Sequence, residues 1–315
     1  MDLVIDPLDK WVMEPFVYPA TWKASDPLRQ SCSLFLILTV GGALMYLSAA
    51  YLSWCLWFDR RLLKHKKILP NQVSREIWTS LSNIPMMSVP TVLMVLPELN
   101  GYSRLYDRVD EYGWGYFFFS WIFFILFTDC FIYWIHRWLH LPAIYARIHK
   151  PHHQWLVSTP FASHAFHWFD GFAQSSPYHI FPYLFPLHKG LYLCLFIFVN
   201  FWTVSIHDGV YLVPESLKWL VNGAAHHTDH HLYFTYNYGQ FLTIWDRIGG
   251  SYRWPSPYSE GGGPLDEVER MEEKKKRVGE KGEEEAKTGE GRREGLRVRA
   301  GRSHAPASQQ KQKAG

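Results

Sequence analysis

The sequence has little cysteine and lacks the motifs that mark the common nucleotide cofactors and serine nucleophiles. Its four cysteines all lie in apolar stretches without CxxC spacing, which argues against a disulfide framework or a zinc knuckle. There is no GxGxxG before a helix, no P-loop and no GxSxG elbow. The ExxH pairs of soluble carboxylate-bridged di-iron bundles are also missing. These absences exclude several large classes of soluble enzyme.

Charge is missing from long stretches of the first 206 residues. Residues 32–58 carry no charged side chain, and residues 115–128 continue the pattern through Asp129 to about residue 135. Residues 189–206 are apolar after Lys189, and residues 77–97 are apolar but interrupted by Pro85 and Pro90. A helix that crosses a bilayer needs about 20 apolar residues. The sequence therefore predicts an all-α, polytopic membrane bundle of about four spans or hairpin-inserted helices.

The chain divides by composition into three parts. Residues 1–31 form an N-terminal segment without the basic region of a cleaved signal peptide. Residues 32–255 form the membrane-embedded domain. From Glu260 onward there is no aromatic residue, and 14 basic residues face 12 acidic ones. Such a composition predicts that the tail 256–315 is disordered, and without a nucleic-acid motif we expect no nucleic-acid partner.

The distribution of basic residues predicts the orientation of the bundle. The loop at 60–75 is strongly basic, which places it in the cytosol and places residues 1–31 in the lumen. The span that ends near residue 135 then returns to the cytosolic side. Because the downstream histidines must share that side, we expect residues 181–199 to form a hairpin that enters and leaves there. Pro182, Pro186 and Gly190 are suitable positions for its bends.

Histidine is abundant and clustered. The chain has 16 histidines, of which 14 lie between residues 136 and 231. Three boxes place histidines three or four residues apart, on one face of a helix: HRWLH (His136, His140), HKPHH (His149, His152, His153) and HTDHH (His227, His230, His231). Neutral imidazole suits iron, zinc, copper or nickel. Eight histidines are too many for one ion, so the spacing predicts two metals that share a histidine-rich site.

Carboxylates near the boxes are candidate partners of the ligands, because a metal-bound imidazole usually donates its other N–H to a carboxylate or carbonyl. The candidates are Asp129, Asp208 and Asp229. Asp129 lies seven residues before His136 inside a span, where a carboxylate is costly and usually functional. Its alternative role is a hydrogen bond between helices. His226 falls outside the spacing of the third box and is open to either a ligand or a supporting role.

The motifs resemble those of a known family. HX3H followed by two HX2HH boxes resembles the fatty acid hydroxylase superfamily of membrane di-iron enzymes. The segments LHKPHHQW, TPFASHAFH, DGFAQSSPYH, NGAAHHTDHH and YNYGQFLTIWDRIGGS resemble sterol C5-desaturases, and the resemblance covers roughly residues 1–255. By position, it implies that the eight box histidines and His207 are metal ligands. His164 and His167 match a further histidine pair and are possible additional ligands, although Trp168 stands where the family pattern has proline.

The resemblance also implies a reaction and its partners. It implies two iron ions, which zinc can replace in purified protein, and no separate acid or base. The substrates are O2 and a Δ7-sterol from the bilayer, which is dehydrogenated at C5–C6 in cholesterol biosynthesis. Electrons come from cytochrome b5 and its NAD(P)H-dependent reductase. The implied location is the endoplasmic reticulum membrane, with the active site facing the cytosol.

Three other interpretations of the boxes stay open. Another oxidase of the superfamily, such as a sterol C4-methyl oxidase or a lipid hydroxylase, would share them. A membrane protein that binds or transports zinc is less favoured, because the boxes have fixed helical spacing outside the spans. A non-catalytic sterol-binding protein is disfavoured because the boxes are intact.

Overall fold

The computed structural model describes residues 2–256 and 263–281, and this part of the chain is mostly helical. Its longer helices are α1 (Pro27–Leu56), α2 (Gln72–Pro97), α3 (Gly113–Leu139), α4 (Trp168–Leu184), α5 (Lys189–His207), α6 (Ala224–Tyr233) and α7 (264–281). Shorter helical segments are Asp2–Leu8, Asp9–Met13, Glu14–Phe16, Arg60–Lys64, Glu98–Tyr102, Val109–Glu111, Pro142–Ile144, Tyr145–His149, Lys150–His153, Pro160–His164, Glu215–Leu217 and Ile244–Ile248. The all-α prediction is confirmed.

Four helices in the described residues are long and apolar enough to cross a membrane: α1, α2 with its extension to Tyr102, α3 and α5. The chain is therefore a multi-pass membrane protein. Pro85 and Pro90 were expected to interrupt the second apolar segment, but both lie inside the continuous helix α2. Each proline removes one backbone hydrogen bond from the helix. Membrane helices tolerate that loss where neighbouring groups satisfy the freed carbonyls.

Helices α4 and α5 form a hairpin whose turn lies within the predicted segment 181–199, and its entry and exit on the cytosolic side stay a prediction. Their connection contains strand β2 (Leu187–His188), which pairs in parallel with strand β1 (Leu105–Tyr106). Of the three expected bends, only Pro186 lies in the connection, because Pro182 is inside α4 and Gly190 inside α5. The hairpin brings the start of α4 and the end of α5 to the same end of the bundle.

Aromatic side chains hold the hairpin against α3. Phe124 of α3 packs edge-to-face on Phe181 of α4 at 5.1 Å between ring centroids, and both are fully buried. On the other side of the bundle, the Tyr46 hydroxyl of α1 donates to the Phe161 carbonyl at 2.9 Å. Phe161 belongs to the segment that follows the second histidine box. These contacts fasten that segment to the ends of the spans.

Helix α7 lies in the tail for which the sequence predicted disorder. Leu265 is buried in an apolar cluster with Phe58, Leu62 and Val157. Val268, three residues later, is buried as well. Leu265 and Val268 thus form an apolar contact of α7 with the rest of the chain, which the charged composition of the whole tail did not reveal.

Ion pairs between α7 and the basic loop accompany this packing. Arg61 pairs with Glu269 at 2.8 Å, and Lys64 pairs with Glu272 at 2.6 Å. The loop that the sequence placed in the cytosol therefore faces the acidic side of α7. Residues 257–262 and 282–315 lie outside the described residues. The division at residues 31 and 255 stays a prediction.

Candidate metal centre

The nine predicted ligand histidines come together in two groups. Within the described residues, cluster one contains His136, His140, His149, His153 and His230, and cluster two contains His152, His207, His227 and His231. In each cluster, one ring nitrogen of every member lies within 4.8 Å of those of the others. Two compact groups of imidazoles fit the expectation of two metals better than one large group would.

Each HX2HH box contributes to both clusters. In the second box, His149 and His153 belong to cluster one, whereas His152 belongs to cluster two. In the third box, His230 belongs to cluster one, whereas His227 and His231 belong to cluster two. Successive helical residues are rotated by about 100°, so positions i and i+4 nearly coincide and i+3 points about 100° from i+4. The two boxes therefore bridge the two sites, whereas the sequence suggested one point for each box.

The second box is helical despite its proline. Lys150–His153 forms a short helix with Pro151 in its first turn. Proline is tolerated there, because the N–H that it lacks would have no partner within the helix. This start places His149 and His153 one turn apart, and the separation of their Nε2 atoms is 3.0 Å.

The distances between ring nitrogens fit metal coordination. In cluster one, Nε2 of His136 and Nε2 of His149 are 3.0 Å apart. In cluster two, Nε2 of His227 is 2.9 Å from that of His207 and 3.1 Å from that of His231. A metal–nitrogen bond of about 2.1 Å places two ligands at right angles about 3.0 Å apart. A cation is needed where several imidazole lone pairs converge, because a single proton can bridge only one pair.

Burial keeps the clustered imidazoles neutral. Desolvation, reinforced by neighbouring imidazoles, holds the pKa well below its usual value for His152, His153, His227, His230 and His231. A neutral imidazole has one nitrogen with a free lone pair, which is the form that binds a metal. The clusters therefore present metal-binding groups near neutral pH.

Backbone carbonyls select which nitrogen faces the cluster. Nδ1–H of His136 donates to the Tyr238 carbonyl at 2.8 Å, and Nδ1–H of His230 donates to the Tyr236 carbonyl at 2.7 Å. With the proton on Nδ1, the Nε2 lone pair is left for the cluster. One loop thus orients a ligand from α3 and a ligand from α6.

Asp129 positions this loop rather than a histidine. Its carboxylate accepts hydrogen bonds from the backbone amides of Gln240, Phe241 and Leu242 at 3.0, 2.8 and 3.0 Å. The buried carboxylate in α3 therefore binds a loop, whereas the alternative left open above was a hydrogen bond to a second helix. Its effect on the metal centre is indirect, through the carbonyls of the same loop.

The other two candidate carboxylates also have different partners. Asp208 accepts from the Ser53 hydroxyl at 3.0 Å and from the Val210 amide at 2.8 Å, and burial raises its pKa to about 7. Asp229 accepts from the amide and hydroxyl of Ser256, both at 3.0 Å. Asp208 therefore ties α1 to the end of α5, and Asp229 ties α6 to the following chain. The structure does not support either as a direct partner of a ligand histidine.

Asp170 is the carboxylate that contacts a ligand, and the sequence reasoning missed it. Nδ1–H of His149 donates to its Oδ2 at 2.6 Å, and both side chains are fully buried. Its Oδ1 accepts from Nε2 of Gln174 at 2.7 Å. Asp170 lies 21 residues from His149 and outside every box, so spacing could not connect them. The only signal was an acidic residue in the apolar stretch HWFDGF.

The three possible additional ligands, His164, His167 and His226, lie outside both clusters. Nε2–H of His164 donates to Oδ1 of Asn200 at 3.2 Å. Nδ1 of His167 accepts from the Phe169 amide at 3.2 Å and caps the start of α4. His226 is fully buried but does not belong to either cluster. The structure assigns structural positions to the first two and brings none of the three to a candidate metal site.

The departure at Trp168 leaves the start of α4 intact. Trp168 is the first residue of that helix, where proline is common in other proteins. Its backbone N–H, which proline would lack, donates to Oδ1 of Asn83 in α2 at 3.1 Å. The substitution therefore adds a contact between helices and does not disturb the turn.

A cavity of about 310 Å³ joins the clusters to the interior of the bundle. Its wall is mostly apolar and includes Val4, Leu38, Leu105, Ile197 and Phe166. Four cluster histidines also line it: His136, His152, His207 and His227. An apolar molecule held between the spans would thus reach the candidate metal centre.

Known proteins match most of the chain. Residues 121–251 match the fatty acid hydroxylase family. The chain is 52% identical to "Lathosterol oxidase" of Mus musculus over 276 residues, which cover 87% of this chain and 92% of that protein. The human protein of the same name is 52% identical over 278 residues, covering 88% and 93%. "Delta(7)-sterol 5(6)-desaturase" of Candida dubliniensis is 53% identical over 252 residues, covering 77% and 64%.

No solved structure matches the chain. The identity to curated relatives nevertheless extends well beyond the histidine boxes, over most of both chains. The chain belongs to the sterol C5-desaturase family and is an oxidoreductase.

Proposed function

We propose that this protein introduces the C5–C6 double bond into a Δ7-sterol, as in the conversion of lathosterol to 7-dehydrocholesterol in cholesterol biosynthesis. The observation that carries the proposal is the opening of two histidine clusters into an apolar cavity. The names of the relatives support the substrate and the position of the new double bond. We propose two iron ions as the cofactors, one in each cluster.

The balance of electrons requires an external donor. Removal of two hydrogens from the sterol releases two electrons and two protons, whereas reduction of O2 to two waters consumes four of each. Two electrons must therefore come from elsewhere, and the sequence has no nucleotide motif to supply them. We propose cytochrome b5 with its NAD(P)H-dependent reductase as the source, as the family resemblance implies.

The protein contributes ligands, orientation and a dry pocket. Bound iron would supply O2 activation, which imidazole ligands support. Asp170 orients His149, and the loop at 236–242 orients His136 and His230. The apolar wall of the cavity would hold the sterol rings and exclude water from the reacting carbons. Desaturation then depends on how the C5 and C6 hydrogens are presented to the two sites.

We also propose that the site faces the cytosol at the endoplasmic reticulum membrane. The basic loop at 60–75 supports this orientation through the positive-inside rule. The α4–α5 hairpin supports it too, because it returns His207 to the end of the bundle where α4 starts. A tag inserted after Ser251 should be accessible from the cytosol, and lumenal exposure of the tag would contradict the topology.

The test of the reaction is a sterol profile. The intact chain and a His230→Ala, His231→Ala double variant are expressed in cells that lack sterol C5-desaturase. The intact chain should lower the Δ7-sterol and produce the 5,7-diene, and the double variant should do neither. If a 4-methyl sterol or a fatty acid is oxidised instead, the family assignment still holds, but the proposed substrate is wrong. No oxidation by the iron-loaded protein with cytochrome b5 present would overturn the enzyme proposal.

A further inference from the structure

Most polar side chains along the cavity already have partners. Four hydroxyls donate to carbonyl oxygens of their own helices: those of Ser88, Thr91, Ser175 and Thr203. Two further pairs bond to each other: His164 with Asn200, and His179 with Tyr192. The carboxamides of Gln174 and Gln240 differ, because each is bonded through Nε2 only, to Asp170 and Thr203 respectively. Among the described residues, Oε1 of neither has a partner.

The orientation of the Gln174 carboxamide follows from its neighbour. A carboxylate can only accept hydrogen bonds, so the amide group of Gln174 must turn its Nε2 toward Asp170. Oε1 is then left as an acceptor for a group in the cavity, which Gln174 lines. Because Asp170 is itself held by His149, the position of this acceptor is fixed relative to cluster one.

The neighbouring wall connects Gln174 to cluster two as well. A Cβ on Gly171 would lie 2.1 Å from the ring of Phe166 and 2.7 Å from the sulfur of Met87. The absence of a side chain at this position therefore lets Phe166 pack directly on α4, one turn before Gln174. The Phe166 ring is also 5.9 Å from the ring of His152. Gln174 thus lies near the Phe166 ring, which extends to His152 of cluster two.

Of the other polar groups that α4 turns to the cavity, Ser175 donates to its own helix, and two more lie too far along it. Asp170 contacts a cluster ligand, and Gln174 follows it by one turn. Tyr178 and His179 also line the cavity, but they follow Asp170 by eight and nine residues. At 1.5 Å per residue, they lie about 12 Å or more beyond Asp170 along the helix axis. A group that must bind close to the histidines therefore meets Gln174 first.

A Δ7-sterol has such a group. Its hydroxyl is on C3, in the same ring as C5, so it must lie near the clusters when the C5–C6 bond faces them. We propose that Gln174 positions the substrate by accepting a hydrogen bond from this hydroxyl at Oε1. The inference rests on the proposed function and deepens it. The sterol side chain then points the other way, toward Leu38 and Leu105 at the remaining cavity wall.

The proposed hydrogen bond can be tested by comparing how tightly the protein binds a Δ7-sterol and its 3-methyl ether. The metal-loaded full chain is placed in lipid nanodiscs, and the affinities for a Δ7-sterol and for its 3-methyl ether are measured by competition with a radiolabelled Δ7-sterol. The ether keeps the oxygen but cannot donate, so the intact chain should bind the alcohol at least about tenfold more tightly. Gln174→Met should bind both sterols equally, at about the affinity that the intact chain shows for the ether.

The matched control is Gln240→Met, which changes the same carboxamide on the other side of the cavity. It should keep the preference for the alcohol. Gln174→Met also removes a donor from buried Asp170, so metal content and thermal stability are measured for each variant and affinities are compared at equal metal content. The ratio of the affinities for alcohol and ether is the result that a merely structural role of Gln174 would not change. Gln174→Asn, whose acceptor is withdrawn by one methylene, is a second variant and should lose the preference too.

Three results would overturn the inference. The intact chain could bind the ether as tightly as the alcohol, both Gln174 variants could keep the preference, or only Gln240→Met could lose it. Formation of the 5,7-diene is measured separately on the same samples. If the protein forms the 5,7-diene but binds alcohol and ether equally, only the role of Gln174 is contradicted. If binding depends on Gln174 but no 5,7-diene forms, only the proposed function is contradicted.

Discussion

Oδ2 of Asp170 lies 2.6 Å from Nδ1 of His149, and both side chains are completely buried. The carboxylate accepts the Nδ1 proton, so Nε2 of His149 is directed toward His136 and His153 in cluster one. A carboxylate behind a ligand imidazole orients the ring and increases its basicity. The other oxygen holds Gln174. Asp170 is therefore the point where the candidate metal centre and the cavity wall meet.

The first prediction concerns Asp170→Asn. The amide oxygen can still accept from His149, and the Gln174 carboxamide can turn to accept from the new amide nitrogen, but a neutral amide no longer increases the basicity of the ligand as a carboxylate does. We expect the affinity of one metal site to fall by roughly 10- to 100-fold. Metal titration of the purified apoprotein measures the change. Asp229→Asn is the matched control, because in the described part of the chain Asp229 accepts hydrogen bonds from Ser256 and pairs with Arg253 at 3.7 Å, and it contacts no ligand histidine. Equal metal affinity of Asp170→Asn and the intact chain would contradict this role.

The second prediction follows from the unequal size of the clusters. Cluster one has five histidines and cluster two has four. His140→Ala leaves four imidazoles in cluster one, whereas His207→Ala leaves three in cluster two. We expect both variants to bind less metal than the intact chain, and His207→Ala to lose more. Metal per chain is measured by mass spectrometry of the purified protein after dialysis against a chelator.

The control for this comparison is His164→Gln. His164 lines the cavity but lies outside both clusters, so its replacement should leave the metal content unchanged. Loss of a metal from His164→Gln would make it a ligand, as the family resemblance allowed. A larger loss from His140→Ala than from His207→Ala would contradict the division into clusters.

Local spacing was sufficient to find eight of the nine clustered histidines but not to sort them, and His207 was added only by the family resemblance. The i, i+3 and i+4 positions of the boxes identified the histidines, because helical geometry is a property of neighbouring residues. Whether His152 and His153 face one site or two depends on where α5 and α6 approach the second box. That is decided by packing between helices, which no single box encodes.

The same limit explains Asp170 and α7. Sequence reasoning searched for carboxylates beside the boxes, and it found Asp129, Asp208 and Asp229, which hold backbone and hydroxyl groups instead. Asp170 reaches His149 only because α4 packs beside the second box. In the tail, Leu265 is one apolar residue in a charged segment, and it becomes significant only where Phe58 and Val157 provide a partner surface.

The third prediction concerns the close packing at Gly171. Because a Cβ at this position would meet the Phe166 ring at 2.1 Å, Gly171→Ala must displace that ring or move α4. Such overpacking typically costs about 1–3 kcal/mol of stability. Gly115→Ala is the control, because nothing lies within 4 Å of its Cβ position. Thermal unfolding should show a lower midpoint for Gly171→Ala only, and an unchanged midpoint would mean that the wall can relax.

The fourth prediction is a dependence of stability on pH through His164. Burial lowers the pKa of His164 from 6.5 to about 4 in the folded protein. Between these values, the unfolded chain takes up a proton that the folded chain does not. The contribution of this group to stability is therefore present above pH 6.5 and is progressively lost as the pH falls toward 4.

His164→Gln removes this titration and keeps a polar side chain. The stability of the intact chain should therefore decline relative to that of His164→Gln as the pH falls from 7.5 to 5. Thermal midpoints of the two proteins, measured across that range, give the comparison. A difference that stays constant with pH would show that His164 titrates normally in the folded state.

The fifth prediction separates packing from charge in the docking of α7. Leu265 is buried against Leu62 and Val157, and replacement of a buried leucine by alanine usually costs about 2–5 kcal/mol. Lys64 and Glu272 are both substantially exposed, and such an ion pair contributes about 0–1 kcal/mol. Leu265→Ala should therefore release α7, whereas Glu272→Ala should not. Amide hydrogen exchange over residues 264–281 reports the release directly, since a detached helix this short loses its protection in water. If Glu272→Ala releases the helix and Leu265→Ala does not, the basic loop holds α7 by charge, and its attachment should then weaken with added salt.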